Sequence, residues 1–132
     1  MTEHEVEFRE LPIPSEENQI FRIFYVIERG RSQVMDGFQT MTDQRKDEVK
    51  DLIIKMATVE SFESQKIRWR LKKKYSYGEL KPKGHRLFFF LKKGNIIFFR
   101  YAVKKSDSLG DKFYRETEIF KRRYENEFEK RL

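Results

Sequence analysis

Charged and ionisable side chains in residues 77–105, YGELKPKGHRLFFFLKKGNIIFFRYAVKK, sit at the ends of apolar runs or inside them, and seven are candidates for catalysis or binding. They are Glu79, Lys81, His85, Arg86, Arg100, Lys104 and Lys105, and Tyr77 and Tyr101 stand among them. A guanidinium or ammonium beside an aromatic ring at a strand end suits RNA, because the cation meets a phosphate while the ring stacks on a base. Arg70, next to Trp69 in the basic run KIRWRLKKK, belongs to the same set. Taken singly, each of these residues also fits a solvated sheet rim, with the aliphatic stem of the Lys or Arg lying along apolar surface. The RNA reading rests on the cluster.

The elements that position them follow from the pattern around them. Residues 87–91 and 96–103 are dense in β-branched and aromatic side chains, and Lys92-Lys93-Gly94-Asn95 lies between them. Such runs around a Gly/Asn turn predict a β-hairpin. With Lys93-Gly94 as a two-residue turn, Arg86 is expected opposite Tyr101 and His85 opposite Ala102. Residues 77–81 form a shorter strand ended by Pro82 and Gly84, so three antiparallel strands are expected in succession. Phe88, Phe89 and Phe90 are adjacent, which makes both faces of the sheet apolar. Such a sheet has to be covered, at least in part, on both faces.

Charge is unevenly spread along the 132 residues. Residues 1–65 carry 8 Lys/Arg against 14 Asp/Glu, and residues 106–132 carry 7 of each sign. Residues 66–105 carry 14 Lys/Arg and one acid, Glu79. The whole basic excess therefore falls on the central strands and their approach, which is the footprint of a polyanion partner. Solubility alone would tolerate mixed signs. There is no Cys, which excludes disulfides and thiolate metal sites, and two His are too few for a multi-His centre. No cofactor or metal is expected. No apolar run reaches transmembrane length and no signal-peptide core follows the acidic start, which points to a soluble, cytoplasmic protein away from membranes.

One domain is expected over residues 19–132, preceded by an acidic arm, residues 1–18, that reads as extended or poorly ordered. Residues 21–27 predict a first strand, at an edge of the sheet. Ser32 is placed to cap a short helix bearing Val34, Met35, Phe38 and Met41. Thr42 or Asp43 caps a second, with Val49, Leu52, Ile53 and Met56 on one stripe. Residues 66–74 alternate apolar and basic, as in a strand or extended segment, with Trp69 as an anchor. Phe113, Thr117, Phe120, Tyr124 and Phe128 predict a final helix. The fold class is α+β: an antiparallel sheet of about four strands, a helical hairpin on one face, and a last helix partly covering the other. A partly open basic sheet surface is then expected.

Several of these segments resemble the RelE/ParE toxin superfamily, in its HigB-like, phage-related branch. The likeness lies in Arg22–Tyr25 with Glu28-Arg29-Gly30-Arg31-Ser32, and more strongly in Gly78-Glu79-Leu80-Lys81, Gly84-His85-Arg86-Leu87-Phe88-Phe89 and Lys104-Lys105-Ser106. It covers residues 20–128, in the order β-α-α-β-β-β-α.

The resemblance implies a toxin of a type II toxin–antitoxin system that cuts mRNA on the ribosome and is neutralised by an antitoxin protein, often a helix-turn-helix repressor. It implies attack of a 2′-hydroxyl on its own 3′-phosphate. Arg86 then contacts phosphate, Lys81 and Lys104 or Lys105 assist, and His85 or Glu79 is the base. Arg100, Tyr101, Tyr77 and Arg70 complete the RNA surface. Several such enzymes carry a catalytic side chain after the last strand, where this chain has a long helix instead. Two other readings stand beside it: a gyrase poison of the same fold, and a non-catalytic module that binds RNA or an acidic protein.

Overall fold

The computed structural model describes residues 5–14, 18–60, 62–70, 75–104 and 109–132. Its elements are β1 (Val6–Leu11), β2 (Arg22–Glu28), α1 (Gln33–Gln39), α2 (Asp43–Thr58), β3 (Ile67–Arg68), β4 (Gly78–Leu80), β5 (His85–Lys92), β6 (Asn95–Val103) and α3 (Asp111–Glu129). The fold is α+β, and the expected succession of strand, two helices, three strands and helix lies within it. The sheet has six strands rather than four, in the order β1-β2-β6-β5-β4-β3. It is mixed, because β2 runs parallel to β6 while the other pairs are antiparallel.

Two corrections concern the N-terminal third. The acidic arm supplies a strand: Val6–Leu11 pairs with β2 along its whole length. Val6 and Phe8 face α3, and the Phe8 and Phe128 rings meet edge-on at 5.0 Å. Arg22 clamps the pairing with a bidentate bond to Glu10. Consequently β2 lies inside the sheet and β1 takes the edge. In residues 66–74, only Ile67–Arg68 pairs as a strand among the described positions, and residues 71–74 lie outside them.

Local sequence accounts for the helices. The Ser32 and Thr42 hydroxyls accept from the amides of Met35 and Arg45, which satisfies donors the first turns leave open. Val34, Met41, Val49 and Met56 then turn inward and cover Ile23, Leu87, Phe89, Ile96 and Phe98. On the other face, Tyr114, Tyr124 and Phe128 of α3 cover Phe24, Phe88, Phe90, Ile97 and Phe99. The ribbon's middle is thus buried on both sides, and no open basic sheet face exists among the described residues. Arg68, Lys81, Arg86 and Lys104 gather at one end instead, while Lys92 and Lys93 stand at the hairpin turn at the other.

Register decides what stands at that end. Lys93 and Gly94 both have positive φ, 48° and 79°, as a type I′ hairpin turn requires. Lys92 pairs with Asn95 as expected, but a bulge between Phe88 and Phe89 inserts Phe99 as an extra residue on β6. Beyond it the pairs shift by one: Leu87 faces Tyr101, Arg86 faces Ala102 and His85 faces Val103. The expected Arg86–Tyr101 pairing is therefore overturned. The bulge keeps Phe99 in the α3 core while also turning Arg100 toward α3, where the guanidinium bonds Thr117. Tyr101 is thereby sent to the helical-hairpin face.

Candidate functional site

The ends of β2, β4 and β6 and the start of β5 meet at one end of the sheet. Adjacent residues of a strand point to opposite faces, so His85 and Arg86 are separated by the sheet itself. On the hairpin face, His85 Nδ1 lies 2.6 Å from the Tyr101 hydroxyl. Three positions on one side of α1 and its C-terminal turn hold Tyr101 in place. The Tyr101 amide donates to Gln33 Oε1 at 3.4 Å, and Thr40 Oγ1 is 3.4 Å from the Tyr101 hydroxyl. Gly37 lies against the ring, where a Cβ would stand 2.2 Å from Cγ, so no larger residue permits this approach. Burial first, then the positive charges of Arg45 and Arg86, hold His85 below the ordinary imidazole value. Its neutral form therefore predominates at pH 7, as a general base requires.

On the α3 face, cross-strand pairing places Arg68 opposite Glu79 and Glu79 opposite Phe88, with Arg86 two residues before Phe88 on the same face. Glu79 is a buried carboxylate, its side chain 3% exposed. Arg86 Nε stands 3.7 Å from Glu79 Oε2 and Arg68 Nε 4.0 Å from Oε1, and the charges of Lys81 and Lys104 also reach it. None of these cations donates a hydrogen bond to Oε2, which has no hydrogen-bond partner among the described residues. Burial outweighs the cations and holds the Glu79 carboxyl above its ordinary value. A carboxylate sealed from solvent cannot take a proton from an RNA hydroxyl without rearrangement, so Glu79 acts here as the counter-charge of the cation cluster. The Lys81 ammonium is held below its ordinary value, by burial first and then by Arg68.

Two expected contact residues belong to the core. The Tyr77 hydroxyl donates to the Tyr114 carbonyl at 3.0 Å, and the ring is 1% exposed. Arg100 is stacked over Phe113 at 3.9 Å and Phe120 at 4.7 Å, and it donates to Thr117 Oγ1 at 2.6 Å. Neither is free to grip a ligand. Arg70 is exposed beyond β3, and Lys104 is half-exposed, its amide bonded to the Gly84 carbonyl. Lys105 lies outside the described residues. Trp69 is an anchor, as expected: Nε1 donates to the Phe62 carbonyl, and the ring packs on Phe62 and Phe89.

Sequence reasoning missed Arg45, Arg68 and the Gln33–Gly37–Thr40 face. Arg45 and that face lie in or beside helices read only for their apolar stripes. Arg68 had a signal, since the alternation of Ile67 and Trp69 with the basic residues already put it on the face opposite the anchor. Among the described residues there is no group of three or more His, Asp or Glu fit to hold a metal ion, and no helix is long and apolar enough to cross a membrane. Compared with protein-family models and with curated proteins, the chain matches none.

Proposed function

We propose that this protein is the toxin of a type II toxin–antitoxin system and cleaves mRNA on the ribosome. The observation that carries this reading is the His85–Tyr101 pair at the sheet end where Arg45, Lys81, Arg86 and Lys104 also gather. Tyr101 fixes the imidazole, which takes the proton of a ribose 2′-hydroxyl through its other nitrogen. The 2′-oxygen attacks the adjacent phosphorus, and the bond to the 5′-oxygen breaks, leaving a 2′,3′-cyclic phosphate. Cations at the rim stabilise the added charge on the phosphorane. Lys81, its ammonium made more acidic by burial, protonates the leaving 5′-oxygen. The ribosome aligns the message, and a cognate antitoxin protein restrains the enzyme between uses.

Induced expression tests this directly. Growth arrest with cuts confined to translated messages, and cyclic phosphate at the new 3′ ends, is the expected result. His85→Asn should lower cleavage by about 10²–10⁴, the usual contribution of a general base. Cleavage at the wild-type rate by a folded His85→Asn protein removes the imidazole from the reaction. The separation of His85 from Arg86 by the sheet favours a second reading, a non-catalytic RNA-binding module. It predicts RNA binding with intact messages and no arrest.

A further inference from the structure

An apolar pocket lies away from the sheet end. A cavity of about 420 Å³ sits between residues 11–14, the two helices of the hairpin and the sheet. Ile13, Val34, Phe38, Ile53, Leu87 and Phe98 are among the residues of its wall, and nothing in the proposed chemistry uses it. The pocket is open to solvent on one side. Its volume is within the ~300–1,000 Å³ range of small-molecule sites. A wall this apolar favours contact with hydrocarbon over water.

The wall carries one charged residue among those described, Lys50. The Lys50 ammonium stands 6.0 Å over the Phe38 ring, and Lys46, one turn earlier on α2, stands 5.8 Å over it. Lys46 also donates to Gln39 at 3.3 Å, while Lys50 is exposed. Positive charge therefore marks the mouth of an otherwise oily chamber. That combination matches a ligand with a hydrocarbon body and one anionic end. We propose that the cavity binds a medium-chain aliphatic carboxylate, with its head group on Lys50 and its chain running past Phe38 and Ile53 toward Leu87 and Phe98. The segment Leu11, Pro12, Ile13 and Pro14 forms the outer wall and leads directly from β1, so occupancy also braces the edge of the sheet.

Titration calorimetry of the full chain with dodecanoate and with 1-dodecanol, each below its aggregation threshold, tests the assignment. Saturable binding of dodecanoate at one per chain is expected, with a raised melting temperature. Lys50→Gln, a surface change, should weaken dodecanoate about threefold to fivefold, the scale of one exposed charge pair, and leave dodecanol unaffected. Val34→Phe, which fills the chamber, should abolish binding of both. If it fails to fold, the Lys50→Gln comparison decides alone. No saturable heat from either probe overturns the proposal and leaves the chamber to apolar side chains of a protein partner. Equal dodecanoate affinity in wild type and Lys50→Gln overturns the head-group assignment.

Discussion

Glu79 and His85 stand on opposite faces of the sheet and are shifted in ways that oppose each other across the pH scale. Burial holds the folded Glu79 carboxyl above its ordinary value. Between those two values the folded state keeps a proton that the unfolded chain has lost, so stability falls as pH rises through that window. Folded His85 is held below its ordinary value. There the unfolded chain carries the extra proton, so stability rises with pH across its window and is lost as pH falls. Glu79→Gln separates the two, because His85 titrates in both proteins. From about pH 4 to about pH 8, which brackets both ordinary values, the wild-type denaturation midpoint should fall relative to that of Glu79→Gln. Parallel midpoints would mean that Glu79 ionises as a solvated carboxylate. Arg100 offers a second test, because its aromatic sandwich makes it part of the core. Arg100→Ala should cost about 1–3 kcal/mol in chemical denaturation, from the lost cation–π contacts and the lost bonds to Thr117 and the Phe113 carbonyl. RNA affinity per folded molecule should not change, and a weaker affinity would return Arg100 to the binding surface.

Among the elements, helices were the most legible. Both hairpin helices start at the capping residues their sequence advertises, because a cap is a contact between residues three apart. The Lys93-Gly94 turn was legible for the same reason. Strand partners were not, since β1 meets β2 across a connection whose sequence says nothing about where the arm docks. Residues 6–11 do alternate, with Val6 and Phe8 on one side and Glu7 and Arg9 on the other, but a polar, proline-followed segment carries that signal weakly. Removing residues 1–11 tests the weight of β1. It exposes β2 as an edge and removes one buried Val and a half-buried Phe, worth at least about 2–3 kcal/mol. A lower midpoint and association detected by light scattering are expected, since a bare, apolar edge strand pairs with copies of itself. An unchanged midpoint would make β1 an ornament of the fold.

Across the whole molecule, charge and topology act together. The segment 66–105 is basic along its length, yet the sheet's two covers bury its middle; among the described cations, Arg68, Lys81, Arg86 and Lys104 gather at one end, and Lys92 and Lys93 stand at the hairpin turn. Binding of a bare single-stranded RNA should therefore be weak and salt-dependent. Arg86 donates to the His85 carbonyl at 2.7 Å and pairs with Glu79, so two or three phosphates are met by Arg45, Lys81 and Lys104, and the slope of log K against log salt should be about −1.4 to −2, at ~0.7 per phosphate. Neutralising Lys81 and Lys104 together should flatten it by about 1.4. A slope near zero would remove the polyanion reading. The amino-acid order by itself determined the class of fold, both hairpin helices, the last helix, the turn and the basic character of the ribbon. All of these rest on periodicity, capping and composition, which act over a few residues. The tertiary structure alone decided that β2 is interior, that Glu79 is sealed beneath its cations, and that Tyr101 meets His85 instead of Arg86. The last of these comes from one inserted residue on β6. A bulge is chosen by what packs above and below the strand, here Phe99 and Arg100 against α3, and no short stretch of sequence contains that partner.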